Sequence, residues 1–262
     1  MTIQKSVNCE LPQDTFLKTD CVSLFTSHHY VALFSSNRIV VMKLDNLASR
    51  QIFEATCAMS LLVLQDGLCY MNTSGTVFRL EESTKSVENV CRLIECSPLL
   101  NPILSCSVIG NRIHVVSGKA ISNFNQDCPL DYESYETEKI LTKGQVRKFG
   151  SSRLMLFDKL SQICFIWETG NPKAPSHQLC FGCSEFTVDV ACDETSLYSL
   201  TAAGVVSVWK LRPNGRKYRD RLFTTYLTHS SKLLLAFPQK FVILTASEVH
   251  FVVFGTDSDG QQ

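Results

Sequence analysis

The sequence has no excess of either charge: 25 Lys and Arg face 25 Asp and Glu in 262 residues. A balanced chain has no long-range field drawing it to nucleic acid or an anionic membrane, although local patches remain open. Long apolar runs are missing too. None approaches the roughly 20 residues a helix needs to cross a bilayer, so membrane insertion is not expected. The opening residues, Met1-Thr-Ile-Gln-Lys-Ser, lack a charged stretch followed by an apolar core and a cleavage site. The expectation is an intracellular protein, cytoplasmic or nuclear and not secreted, whose 12 cysteines stay reduced. Cys21, Cys57, Cys69, Cys106 and Cys164 fall in apolar strand patterns, where a thiol acts as a small hydrophobe.

Signatures of chemistry are scarce as well. No Ser sits in a recognisable nucleophile elbow with a His to serve it, and no glycine loop is shaped to cradle phosphate. His28 and His29 fall in a turn. Asp193 and Glu194 are adjacent carboxylates, but Cys192-Asp-Glu-Thr195 reads as a turn in which Asp bonds its own backbone. His177, Cys180 and Cys183 have the spacing of a half zinc site. Structural zinc needs four ligands, and no second Cys-x2-Cys exists here. The expectation is no catalysis, no metal, no cofactor and no small-molecule substrate.

A repeat is present. Six times a short apolar strand runs through a small turn into a second apolar strand, with turns at Asn37, Gly75, Gly118, Gln162, Gly204 and Glu248. Successive spacings are 38, 43, 44, 42 and 44 residues. A period of roughly 40–45 residues with several strands per unit is the mark of a β-propeller, one blade per repeat. No segment shows sustained helical periodicity with caps. The fold class expected is therefore all-β: a single β-propeller of six four-stranded blades over residues 1–256, with 257–262 a disordered tail. The sixth repeat runs out at Phe254 before a fourth strand, and Ile3–Cys9 has no other home. That N-terminal strand is expected to pair in the last blade and close the ring. An open ring whose last blade accepts a partner's strand, or a seven-bladed ring, are the rival arrangements. The outer strands are the least distinct; the third blade's is expected at Lys139–Thr142.

Two repeats carry a more specific signal. Thr201-Ala-Ala-Gly204-Val-Val-Ser-Val-Trp209-Lys-Leu211 and Gln162-Ile-Cys-Phe-Ile-Trp167-Glu168 both place Trp five residues after the turn. Phe181-Gly-Cys-Ser-Glu-Phe186 and Leu227-Thr-His-Ser-Ser231 are similar to the Gly-His start of such a repeat. The chain resembles a divergent member of the WD40-repeat family. It departs from the family where Glu168 and Lys210 replace the Asp after Trp, and where Met42, Leu80 and Val253 stand near the Trp position. The family's buried Trp–Ser/Thr–Asp–His network is expected to be incomplete in every blade.

Two charged segments stand out as partner-binding candidates. Arg212-Pro-Asn-Gly-Arg216-Lys217-Tyr218-Arg219-Asp-Arg221 places five cations and one aromatic in ten residues, read as a loop of the fifth blade. In the third blade the equivalent loop holds Asp131, Tyr132, Glu133, Tyr135 and Glu136, acidic and tyrosine-bearing. Tyr is favoured at interfaces for its rigid area and polar tip. Propeller connectivity puts both loops on one face, a polarised surface suited to orienting a protein partner. The resemblance implies an assembly platform: a non-catalytic scaffold subunit docking other protein subunits. The alternative is an RNA-binding accessory subunit of an RNA-modifying or RNA-processing enzyme, using Arg212–Arg221 and also Lys143, Arg147 and Lys148. Nucleic acid is possible but not favoured, because the acidic loop repels it.

Overall fold

The computed structural model describes residues 3–10, 18–25, 28–43, 46–65, 67–93, 102–136, 146–181, 186–212, 215–224, 232–237, 240–244 and 248–254. The described residues contain strands, turns and bends, and no helix. The N-terminal strand is β1 (Ile3–Glu10). The first blade follows as β2 (Lys18–Phe25), β3 (His28–Phe34), β4 (Arg38–Lys43) and β5 (Asn46–Glu54), and the second as β6 (Ala58–Leu64), β7 (Gly67–Asn72), β8 (Thr76–Glu81) and β9 (Ser86–Arg92). The third contains β10 (Ile103–Ile109), β11 (Arg112–Ser117), β12 (Ala120–Asn125) and β13 (Tyr132–Glu136). The fourth contains β14 (Val146–Phe149), β15 (Arg153–Asp158), β16 (Ile163–Glu168) and β17 (His177–Cys180). The fifth contains β18 (Thr187–Cys192), β19 (Ser196–Thr201), β20 (Val205–Leu211) and β21 (Lys217–Thr224). The last sheet runs β22 (Lys232–Phe237), β23 (Lys240–Leu244) and β24 (Glu248–Phe254), with β1 beside β24.

The fold is an all-β propeller. The expected single ring of six four-stranded blades is corrected in its regularity: five blades are built from four consecutive strands, whereas the last sheet has only three consecutive strands. The N-terminal strand does pair in that last sheet, β1 beside β24, as expected. The chain also divides into two compact units instead of one body. One unit comprises Met1–Pro12, Lys159–Cys164 and Leu179–Gln262; the other comprises Gln13–Asp158 and Phe165–Gln178. The division passes through β16 and β17, and so interrupts the continuity that a uniform repeat suggests.

Sequence period becomes structure through recurring backbone bonds. The b–c turn carbonyl accepts the N–H of the residue closing the blade in three repeats: Asn37 from Ala55 (2.9 Å), Gly75 from Leu93 (2.8 Å) and Gln162 from Phe181 (2.9 Å). All three donors are buried. A second bond joins residues 16 apart. The carbonyls of Cys57, Pro102 and Phe186, each just ahead of an inner strand, accept from Thr73, Gly118 and Ala202. Gly75 and Gly204 occupy left-handed backbone at φ 74° and 78°, the conformation glycine adopts without a Cβ penalty. The second blade adds side-chain chemistry: Asn72 Oδ1 accepts from the backbone of Ser74 (3.1 Å) and Thr76 (2.9 Å).

An inner strand has a sheet partner on one side only, so its other edge needs its polar groups satisfied some other way. Here the preceding blade supplies them. Ser60 Oγ on β6 accepts from Cys106 N on β10 (3.3 Å), and Ser105 Oγ on β10 accepts from Val146 N on β14 (3.1 Å). Both serines follow a register shift at the start of their strand, between Ala58 and Ser60 and between Ile103 and Ser105. Apolar side chains fill the space between neighbouring sheets. Phe34, Phe53, Leu61, Tyr70 and Leu80 pack between the first two blades. Met59, Leu62, Cys69, Met71, Ile113 and Phe124 pack between the second and third. Ala191, Tyr198, Leu200 and Val206 gather around Ile243 in the other unit.

The outer strand of the third blade is displaced from its expected place. Lys139–Thr142 lies outside the described residues, and the strand paired to β12 is Tyr132–Glu136. Tyr132 and Ser134 share one face, where Tyr132 stacks on Phe124 at 5.3 Å and Ser134 meets Ser122 at 2.6 Å, while Glu133 between them is exposed.

Candidate functional site

The basic segment of the fifth blade is mostly strand, correcting its reading as a loop. Ahead of it, Gly215 N donates to Arg212 O (2.9 Å) and Arg212 N to Arg216 O (2.8 Å), with Gly215 at φ 76°, while Pro213 and Asn214 lie outside the described residues. From Lys217 the chain is β21, paired to β20 with Leu211 opposite Lys217, Lys210 opposite Tyr218 and Trp209 opposite Arg219. Because side chains alternate, Lys217 and Arg219 fall on the face of Trp209 and Tyr218 on the other.

That register assembles a cation–aromatic cluster. Lys217 Nζ lies 3.9 Å from the Trp209 ring centroid and 4.6 Å from that of Phe181, and the Arg219 guanidinium sits 5.0 Å from Trp209. Phe181 meets Trp209 edge-on at 5.7 Å. Cations over ring faces contribute about 0.5–2 kcal/mol each, the larger value when water is excluded. The indole Nε1 donates to Ser199 Oγ on the neighbouring strand at 2.7 Å. Trp209 is thus fixed on its edge by a hydroxyl and on its faces by two cations. Arg212 and Arg216 are exposed at the turn, and Arg212 lies 5.4 Å from the ring of Tyr218, itself 38% exposed. Arg221 belongs to β21 opposite Val208. Asp220 pairs with Lys210 at 3.8 Å.

The acidic segment of the third blade is equally ordered. Asp131 accepts from Asn125 Nδ2 (3.0 Å) and pairs with Arg112 at 3.6 Å. Arg112 also donates to Asn123 Oδ1 (2.9 Å), and Asn123 Nδ2 in turn donates to Glu133 Oε2 (3.3 Å). The Tyr135 hydroxyl donates to the same Glu133 oxygen at 2.9 Å. These bonds, Tyr135 first and Asn123 second, hold the Glu133 carboxyl below its usual range; the same contact raises the Tyr135 phenol. Tyr132 is committed to packing on Phe124, so the accessible features are Glu136, Asp131, Glu133 and the 78%-exposed Leu130 at the turn. The two segments lie in different compact units.

The remaining sequence candidates have local roles. Asp193 accepts from Thr195 N and Ser196 N (both 2.7 Å) and from the Tyr198 hydroxyl (2.7 Å), a buried turn carboxylate with every bond local. His177 Nδ1 faces Ser176 Oγ at 3.0 Å, and Cys183 lies outside the described residues. Among the described residues no three His, Cys, Asp or Glu side chains are grouped to hold a metal. The repeat starts at Gly182–Glu185 and Leu227–Ser231, and Lys143, also lie outside them. Arg147 and Lys148 are on β14. The Trp209–Ser199 bond is a Trp–Ser contact of the kind whose wider network was expected to be incomplete. The sequence hid the Phe181–Trp209–Lys217–Arg219 cluster because its parts come from three separate segments. Its one legible signal was a basic strand directly following a Trp-bearing strand.

No protein-family model matches the chain, and no curated protein matches it. Solved structures do. The RRP9 WD40 repeats superpose with a TM-score of 0.63 at 7% identity, covering 94% of this chain and 97% of that one. YCF48 bound to D1 peptide gives 0.62 at 11% identity over 97% of each. A virginiamycin B lyase from Staphylococcus aureus, with quinupristin, gives 0.59 at 10% identity over 95% and 88%. Identities this low speak for the fold alone, and that fold carries both WD40 proteins and an enzyme. By its strand order and these likenesses, the chain is a β-propeller, similar in fold to WD40-repeat propellers among others.

Proposed function

We propose that this protein is a non-catalytic scaffold subunit of an intracellular multiprotein complex, docking partner proteins through the outer strands and turns of its third and fifth blades. The observation carrying this reading is the fixing of Lys217 and Arg219 against Trp209. Charged side chains already held in place lose little conformational entropy on binding, which favours a specific docking surface. The ordered Asp131–Arg112–Asn123–Glu133 network gives the acidic segment the same property. A propeller solved with a bound peptide, YCF48, supports the class of partner.

One observation favours the RNA-binding alternative: exposed Arg212 and Arg216 beside the partly exposed Tyr218 ring combine cations with a stacking surface. Fluorescence anisotropy with a labelled single-stranded RNA separates the two. The scaffold reading predicts no saturable binding at about 0.15 M salt. RNA recognition through three or four cations would instead give log K falling against log salt with a slope of about −2 to −3.

A further inference from the structure

Apolar side chains exposed singly are ordinary on a protein surface, but two held rigidly beside one cation are informative. Of the large apolar side chains described, Leu160 is the most exposed, at 87%, and Phe186 is the most exposed aromatic, at 52%. Leu160 sits in the turn between β15 and β16, and Phe186 directly precedes β18. Both belong to the same compact unit, which includes Lys159–Cys164 and Leu179–Gln262.

Hydrogen bonds bring the two together. The Gln162 side-chain amide accepts from Thr187 N at 2.8 Å and donates to Thr187 O at 3.0 Å, which fastens the turn to the residue after Phe186. The same Nε2 donates to Lys159 O at 2.8 Å, so Leu160 is carried between two fixed points. On the other side the Phe186 carbonyl accepts from Ala202 N at 3.0 Å. Lys159 Nζ lies 5.8 Å from the Phe186 ring centroid, within cation–π range. Among the described residues Lys159 enters no ion pair. A cation and two apolar groups thus share one pre-organised patch, and a partner that binds there has little backbone to order.

We propose that this patch docks a short segment of a partner protein in which an acidic residue stands next to a large apolar one. The carboxylate meets Lys159, and the apolar side chain covers Leu160 and Phe186, the groups that gain most from leaving water. Charge sets the sign of the partner, because the charged group held against the ring is a cation. One cation does not track a phosphate backbone, so nucleic acid is not the occupant. The patch shares no residue with the acidic segment of the third blade or the basic strand of the fifth, so its failure leaves that reading standing.

The test uses the full chain with carbon-13-labelled leucine methyl groups, at low salt, and two acetylated and amidated probes, Gly-Glu-Leu-Phe-Gly and Gly-Lys-Leu-Phe-Gly. The Glu probe is expected to shift the Leu160 methyl resonances saturably, with a Kd about threefold or more below that of the Lys probe. Lys159→Glu is expected to reverse that order, and Phe186→Ser to weaken both probes. The replaced side chains are exposed, so the variants keep the fold. Absence of a saturable Leu160 shift, equal Kd for the two probes, an order unchanged in Lys159→Glu, or binding untouched by Phe186→Ser would each overturn the proposal. So would sedimentation in which the wild type self-associates and Leu160→Ser stays monomeric, because the occupant would then be a second copy of the chain.

Discussion

Replacing Trp167 with alanine is expected to destabilise the protein by about 3–5 kcal/mol, whereas Trp167→Phe costs about 1 kcal/mol or less. Trp167 is 1% exposed and packs at a ring distance of 6.0 Å from Phe165, so truncation to a methyl leaves a large cavity. Its indole Nε1, however, is buried with no hydrogen-bond partner among the described residues. Phenylalanine discards that unsatisfied donor, and the relief of about 1–3 kcal/mol offsets much of the lost volume. Trp209 is the contrasting case. Its Nε1 donates to Ser199 and its faces hold two cations, so Trp209→Phe is expected to cost about 2 kcal/mol, more than Trp167→Phe. Denaturant unfolding of the three variants checks the order. Equal costs for the two phenylalanine substitutions would mean that the indole bonds do not distinguish the blades.

The second large effect concerns Gln162, which occupies a turn position that glycine fills elsewhere, at φ 57°. Its side chain acts as a short strand. Oε1 accepts from Thr187 N at 2.8 Å, Nε2 donates to Thr187 O at 3.0 Å, and Nε2 also donates to Lys159 O at 2.8 Å. Thr187 is buried at the start of β18, an inner strand with a sheet partner on one side only. Gln162→Ala removes all three side-chain bonds while retaining the strained backbone, and is expected to cost about 2–4 kcal/mol. Gln162→Gly relieves roughly 1 kcal/mol of that strain and still destabilises, by less than alanine. A glycine variant more stable than the wild type would show that the amide bridge contributes nothing.

These two cases show where the sequence is informative and where it is not. The period placed the strand pairs and turns because Gly75, Gly204 and the flanking Val, Ile and Leu runs obey local rules. It gave Gln162 as a turn but not as a bridge, since the Thr187 it meets is 25 residues away in the chain. Ser60 and Ser105 were invisible for the same reason: a lone serine in a strand pattern carries no sign that a neighbouring sheet needs an acceptor. The two basic and acidic stretches were seen as composition, and composition suggested loops. Register decided otherwise, because Lys217 and Arg219 cover Trp209 while Tyr132 covers Phe124.

The central claim is that the charged outer edges dock proteins. Quantitative affinity purification and mass spectrometry from nuclease-treated extract tests it most directly, comparing the wild type with Arg212→Glu/Arg216→Glu and with Glu136→Lys. These residues are exposed, so each variant should keep its stability within about 0.5 kcal/mol. The account predicts a discrete set of partner proteins that survives nuclease and falls about tenfold or more in at least one charge-reversed variant. Recovery of the same proteins in equal amounts with all three chains, or their disappearance on nuclease treatment, would contradict it.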